Sequence, residues 1–128
     1  MSVNSYKEGK GVVKLPTIAI ITPSFNQGRF IERTIQSVLT QGIDNIEYFI
    51  ADGGSNDETL RILKHYKDRL SFVSEKDNGQ ADAVNKGWRM ARGDILGWVN
   101  SDDVYLPGAV STAVAALQER PEVAAVYG

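Results

Sequence analysis

The sequence predicts an α/β domain built on an open, mainly parallel sheet with helices on both faces. Three observations carry that expectation. Strand-type and helix-type patterns alternate about every 25 residues along the chain. The first strand-type run, residues 17–22 (TIAIIT), is continuously apolar and β-branched, as burial of both faces of a sheet demands. The helix-type runs carry one apolar face each, which suits a helix laid on such a sheet. Joining parallel neighbours through helices gives right-handed βαβ units.

The elements follow in order. Residues 1–14 are polar, contain Gly9 and Gly11 and show neither strand nor helix periodicity, so they read as a flexible leader to a domain covering residues 15–128. Residues 17–22 (TIAIIT) form the first predicted strand. Over residues 29–41, Phe30, Ile31, Ile35, Val38 and Leu39 recur at helical spacing, and Gly42 follows as a stop. The second strand is 46–51 (IEYFIA). A helix over 56–66 presents Leu60, Ile62, Leu63 and Tyr66, with Asp57 and Glu58 in the first turn, where the helix dipole favours negative charge. Residues 70–74 are a short third strand. The helix over 80–92 groups Ala81, Val84, Trp88 and Ala91, with Gly93 as its C′ residue. Asn85 falls on that apolar face, so its amide is expected to tie down a neighbouring loop. Asp82 and Lys86, four apart, read as a solvated ion pair. Residues 95–99 (ILGWV) are the fourth strand, Pro107 opens a last helix, and 123–127 reads as a fifth strand.

Composition narrows the function. A chain of 128 residues fits a single domain. With no cysteine, disulfide scaffolds, zinc ribbons and thiol catalysis drop out together. A formal net charge of −2 and a pI near 5.4 argue against a nucleic-acid partner. The apolar runs are far shorter than the roughly 20 residues that span a bilayer, so no transmembrane segment is expected. The first fourteen residues lack the apolar middle of a signal peptide, and the expected location is therefore cytoplasmic.

In an open parallel sheet, ligands bind beyond the carboxyl ends of the strands. The four segments that follow strands here are Thr22-Pro23-Ser24-Phe25-Asn26-Gln27-Gly28, Asp52-Gly53-Gly54-Ser55-Asn56-Asp57, Glu75-Lys76-Asp77-Asn78-Gly79 and Asn100-Ser101-Asp102-Asp103. All are rich in acids, amides and glycine, and topology opens all four on one edge. No GxGxxG or P-loop signature is present. A phosphorelay receiver needs an acid pair after the first strand, where Pro23-Ser24 stands. Oxygen side chains without His or Cys in Asn100-Ser101-Asp102-Asp103 suit Mg²⁺ or Mn²⁺, while the same acids could simply bond loop N–H groups. Asp52 could accept from a base or ribose, or could organise an Asx-turn with Gly53 and Gly54. His65, on the polar side of its helix, has no acid or nucleophile at catalytic spacing.

The runs Ile18-Ala19-Ile20-Ile21-Thr22-Pro23-Ser24-Phe25-Asn26, Ile35-Gln36-Ser37-Val38-Leu39-Thr40-Gln41, Asp52-Gly53-Gly54-Ser55-Asn56-Asp57-Glu58-Thr59 and Gly93-Asp94-Ile95-Leu96-Gly97-Trp98-Val99-Asn100-Ser101-Asp102-Asp103 together resemble the family 2 glycosyltransferases of the GT-A, Rossmann-like fold. The resemblance covers residues 15–128 and implies metal-dependent, inverting transfer of a sugar from a nucleotide-diphosphate donor, a UDP-sugar foremost, to a saccharide or lipid-linked acceptor. It puts Pro23 and Phe25 beside the base, groups Asn26, Asp52 and Asn100 with them on the nucleotide, and assigns Mn²⁺ or Mg²⁺ to Asp102 with Asp103. Asn100-Ser101-Asp102 stands where the family has DxD, with an amide in place of the first acid. Ala83-Val84-Asn85 lacks the arginine that many members carry in the middle position. The general base and acceptor site are expected beyond Gly128, so the chain reads as a fragment truncated after its fifth strand, inactive in transfer alone, from an enzyme at the inner face of the membrane. The competing reading is a nonenzymatic nucleotide-binding module.

Overall fold

A computed structural model describes residues 16–128 together with the backbone of Ser5–Glu8 and Gly11–Lys14. The last two segments are strands β1 and β2, paired antiparallel with Glu8 opposite Gly11. The absence of strand periodicity in residues 1–14 therefore did not anticipate this ribbon, whose backbone pairing needs no apolar alternation.

The main sheet has four parallel strands: β3 (Ile18–Ser24), β4 (Ile46–Asp52), β5 (Ser71–Ser74) and β6 (Ile95–Trp98), in the spatial order β5-β4-β3-β6. The chain moves outward from β3 to β5 and then returns to place β6 on the other side of β3. Helices α1 (Ile31–Leu39), α2 (Thr59–His65) and α4 (Ala109–Glu119) pack on one face. Helix α3 (Gln80–Met90), which makes the return crossover, packs on the other. This is the predicted doubly wound arrangement, and its strand order reverses between β3 and β6.

Side-chain alternation along β3 and β4 divides the core. Ile18, Ile20, Tyr48 and Ile50 meet Ile35, Val38, Ile62, Leu63 and Val110. Ile21, Phe49 and Ala51 meet Ala83 on α3. On the first face Tyr48 and Thr22 share a buried 2.9 Å hydrogen bond, and desolvation holds the Tyr48 phenol neutral by pushing its pKa well above the ordinary tyrosine value. On the second, a Cβ at Gly87 would lie 2.6 Å from Ile21 Cγ2, so glycine is what lets α3 settle against the sheet.

Several local expectations are corrected. Residues 123–127 form no strand; Tyr127 is fully exposed, and no strand among the described residues pairs with the segment. Apolar composition alone does not make a strand without a ladder partner. Asn85 is exposed, because the stripe of α3 facing the sheet is Ala83, Val84 and Gly87. Lys86 pairs with Glu75 at 2.8 Å, while Asp82 accepts from the Asn78 N–H at the helix start. Gly42 does take positive φ after α1, as expected of a stop, but Gly93 does not. A Cβ there would lie 2.6 Å from the Ala19 backbone nitrogen, so close approach to β3 is what requires that glycine. Among the described residues, no helix is long and apolar enough to cross a membrane.

Candidate functional site

The ladders end in a row. Ser24 stands opposite Asp52, and Asp52 opposite Ser74. Beyond this row, at the switch point, lies a cleft of about 560 Å³. Topology brings all four strand-end segments to it, through Phe25, Gly53, Lys76 with Asp77, and Asp102, and adds Gln80 in the first turn of α3.

At the β6 end, Asp102 is exposed, lines the cleft and makes no side-chain hydrogen bond among the described residues. Asn100 also lines the cleft, but its amide is engaged. Its Oδ1 accepts from Trp98 Nε1 at 2.9 Å and from Gln80 Nε2, and its Nδ2 donates to Asp103 Oδ2 at 3.3 Å. An amide is the side chain that can do both, since a carboxylate there would face that of Asp103 as a like charge. Asp103 itself does not line the cleft; its carbonyl accepts from Thr34 Oγ1 at 2.5 Å.

In the β3 loop, Pro23 is buried in the cleft wall and the Phe25 ring is 58% exposed at its rim, an apolar platform of the kind a planar base can cover. Asn26 faces elsewhere. It adopts φ 51°, a left-handed conformation that asparagine tolerates, accepts from the Asn56 N–H at 2.9 Å, and donates its own N–H to Ser55 Oγ at 2.8 Å. Asp57 adds a second clasp between the same loops by accepting from the Gly28 N–H at 3.0 Å. The Thr59 hydroxyl, followed by the Thr59 and Gly28 N–H groups, holds the Asp57 carboxyl below its ordinary pKa.

Asp52 is buried and does not line the cleft. Its Oδ2 accepts from the Gly54 N–H, the Ser55 N–H and Ser74 Oγ at 3.2, 2.9 and 2.7 Å, and its Oδ1 from Ser55 Oγ at 2.6 Å. Those bonds are the Asx-turn arrangement. Neighbouring Ser24 contributes a buried hydroxyl with no hydrogen-bond partner among the described residues. Sequence reasoning singled out Asp52, Asn26 and Asp103, which hold the loops, and did not single out Lys76, Gln80 or Gln27, which line the cleft. The only signal for Gln27 and Lys76 was membership of convergent strand-end segments; Gln80, at the start of α3, lies one residue past the third segment.

The donor set at the β6 end fits a hard divalent ion. No group of three or more His, Cys, Asp or Glu side chains is poised to hold a metal among the described residues, so a metal there would depend on Asp102, water and oxygens of a bound phosphate. That is how Mg²⁺ is usually held.

A family model described as glycosyl transferase family 2 matches residues 19–128. The chain is 36% identical over 123 residues to a chondroitin synthase of Escherichia coli, covering 94% of this chain and 18% of that protein. It is 36% identical over 116 residues to an uncharacterized glycosyltransferase of Mycobacterium tuberculosis, covering 88% and 44%. The chain thus spans less than half of these relatives. Among solved structures, it superposes on the mannosyltransferase PcManGT of Pyrobaculum calidifontis in complex with GDP-Man and Mn²⁺ with a TM-score of 0.74 at 24% identity, covering 80% of this chain and 32% of that one. It superposes on S. aureus TarS in complex with UDP-GlcNAc with a TM-score of 0.73 at 23% identity, covering 82% and 32%. These two likenesses are of fold.

Proposed function

Because the chain belongs to glycosyl transferase family 2, we propose that its cleft binds a nucleotide-diphosphate sugar, a UDP-sugar in the first instance, for metal-dependent, inverting transfer to a saccharide or lipid-linked acceptor. The observation that carries this reading is the exposed Asp102 carboxylate at the switch-point cleft, without a side-chain hydrogen bond among the described residues. In this proposal Asp102 holds Mn²⁺ or Mg²⁺, Asn100 braces the turn through Trp98 and Asp103, and Pro23 and Phe25 receive the base. The bound ion supplies charge compensation for the leaving diphosphate. Asn26, Asp52 and Asp103 serve by holding the loops in place.

Transfer is a single displacement. The acceptor oxygen bonds to the anomeric carbon as the bond from that carbon to the diphosphate oxygen breaks, which inverts the centre. The acceptor proton passes to a carboxylate base that we place beyond Gly128. The cytoplasm is the proposed compartment, with the inner membrane face as the place of action on a lipid-linked acceptor.

Calorimetry with UDP and GDP, each with Mn²⁺ and with chelator, tests the donor site. Nucleotide binding that is lost in chelator is expected, with Asp102→Ala losing more metal-dependent affinity than Asn100→Ala, because an anionic oxygen is the stronger ligand for a hard cation. Equal affinity in chelator would remove the metal from this account.

A further inference from the structure

We propose that Asp77, rather than Asp52, reads the nucleobase, and that it selects uracil. The inference rests on the proposed donor site and specifies its far end. Across the order β5-β4-β3-β6, three strand spacings of about 4.8 Å separate the outer strands, a span of roughly 14 Å. If the diphosphate lies with Asp102 beyond β6, the nucleoside extends toward β4 and β5, where the cleft is walled by Gly53, Lys76 and Asp77.

Strand alternation decides which carboxylate faces the ligand there. Asp52 continues the Tyr48 and Ile50 side of β4, the face covered by α1 and α2, and its oxygens accept four hydrogen bonds from its own turn and from Ser74. Asp77 precedes α3, on the opposite face. Its Oδ1 accepts from the Gly79 N–H at 2.9 Å, which fixes the carboxylate. Its Oδ2 has no hydrogen-bond donor among the described residues and lies 3.0 Å from where a Cβ at Gly53 would stand. Glycine at 53 therefore leaves room for this carboxylate at the cleft wall.

One open carboxylate oxygen in a cleft that Lys76 also lines suits a single N–H flanked by carbonyls. Uracil presents that pattern at N3, O2 and O4. Cytosine offers a bare acceptor at N3, which the carboxylate repels. Guanine offers adjacent N1–H and N2–H donors, which a carboxylate matches best through both oxygens, and here Oδ1 is engaged by the Gly79 N–H.

The test is calorimetry of the full-length protein with UDP, CDP and GDP at saturating Mn²⁺. Wild type is expected to prefer UDP. Asp77→Asn can keep the Gly79 bond through its amide oxygen while turning a donor toward the base. It should lower UDP affinity about tenfold and narrow or invert the UDP-to-CDP ratio. Gly53→Ala, which crowds the same carboxylate, should also lower UDP affinity, and it serves as the test if Asp77→Asn does not fold. Asp102→Ala should weaken all three nucleotides together. An unchanged UDP-to-CDP ratio in the folded variants overturns the assignment to Asp77 while leaving the donor site standing. Wild-type preference for CDP or GDP overturns the uracil assignment. Failure of wild type to bind any of the three overturns both this inference and the donor-site reading beneath it.

Discussion

At the residue scale, the acids divide between those that hold loops and those that face the cleft. Asp52 belongs to the first group, and Asp52→Asn should destabilise the fold by about 1–3 kcal/mol, because a charge-assisted set of bonds is replaced by a neutral amide facing several donors. Urea unfolding measures the loss; an unchanged midpoint would show that the turn does not need the charge. Asp57 gives a pH signature. Its folded pKa lies below the ordinary value of 3.8, so its stabilising contribution is complete above that value and is lost as pH falls through the lower folded value. The stability difference between wild type and Asp57→Asn is therefore expected to shrink across that acidic window and stay constant above it. A difference that grew on acidification would contradict the clasp. The sequence made both acids visible as strand-end residues. It could not show which way Asp52 points, because β4 runs to residue 52 rather than 51 and side-chain direction alternates with every residue.

At the element scale, α1 does two jobs. Its apolar stripe of Ile31, Ile35 and Val38 was legible as a repeat and is buried in the core. A polar stripe beside it anchors the segment that follows Asp102. Thr34 Oγ1 donates to the Asp103 carbonyl, Ser37 Oγ accepts from the Tyr105 N–H at 3.1 Å, and Gln41, just past the helix, bonds both the Leu106 carbonyl at 3.0 Å and the Val110 N–H at 3.1 Å. These partners lie 65 to 69 residues away in sequence, so no local pattern could reveal them. Gln41→Ala removes the partner of the buried Val110 N–H and of the Leu106 carbonyl and should cost about 1–3 kcal/mol in stability. If the anchor also positions Asp102, metal-dependent UDP affinity should fall in the folded variant, as calorimetry below the unfolding midpoint would show. Helix α3 teaches the complementary lesson. Its apolar residues permit two neighbouring stripes, and packing of Gly87 against Ile21 and Phe49 selects the one that leaves Asn85 in solvent.

At the scale of the whole molecule, the alternation of strand and helix patterns pointed to an open parallel sheet with right-handed crossovers, of which four strands form, while their order, and with it the switch point between β3 and β6, depends on long-range pairing. The same logic placed the cleft before any side chain was located. It also bounds what the chain can do. Displacement at an anomeric carbon needs an acceptor hydroxyl held in line and a base within roughly 2.6–3.2 Å of its proton. The two carboxylates that line the cleft are Asp77 and Asp102, and the proposed donor complex uses both, one on the base and one on the metal. Residues 1–128 expressed by themselves are therefore expected to bind donor with Mn²⁺ yet transfer no sugar. Water reaching the anomeric carbon in place of an acceptor should then give slow donor hydrolysis as the residual reaction. Labelled UDP-sugar incubated with candidate saccharide and lipid-linked acceptors separates the outcomes by product. Free sugar without glycosylated acceptor is the expected result. Metal-dependent transfer that disappears in Asp77→Asn would instead make Asp77 the base, and would return the reading of the nucleotide to other residues of the cleft.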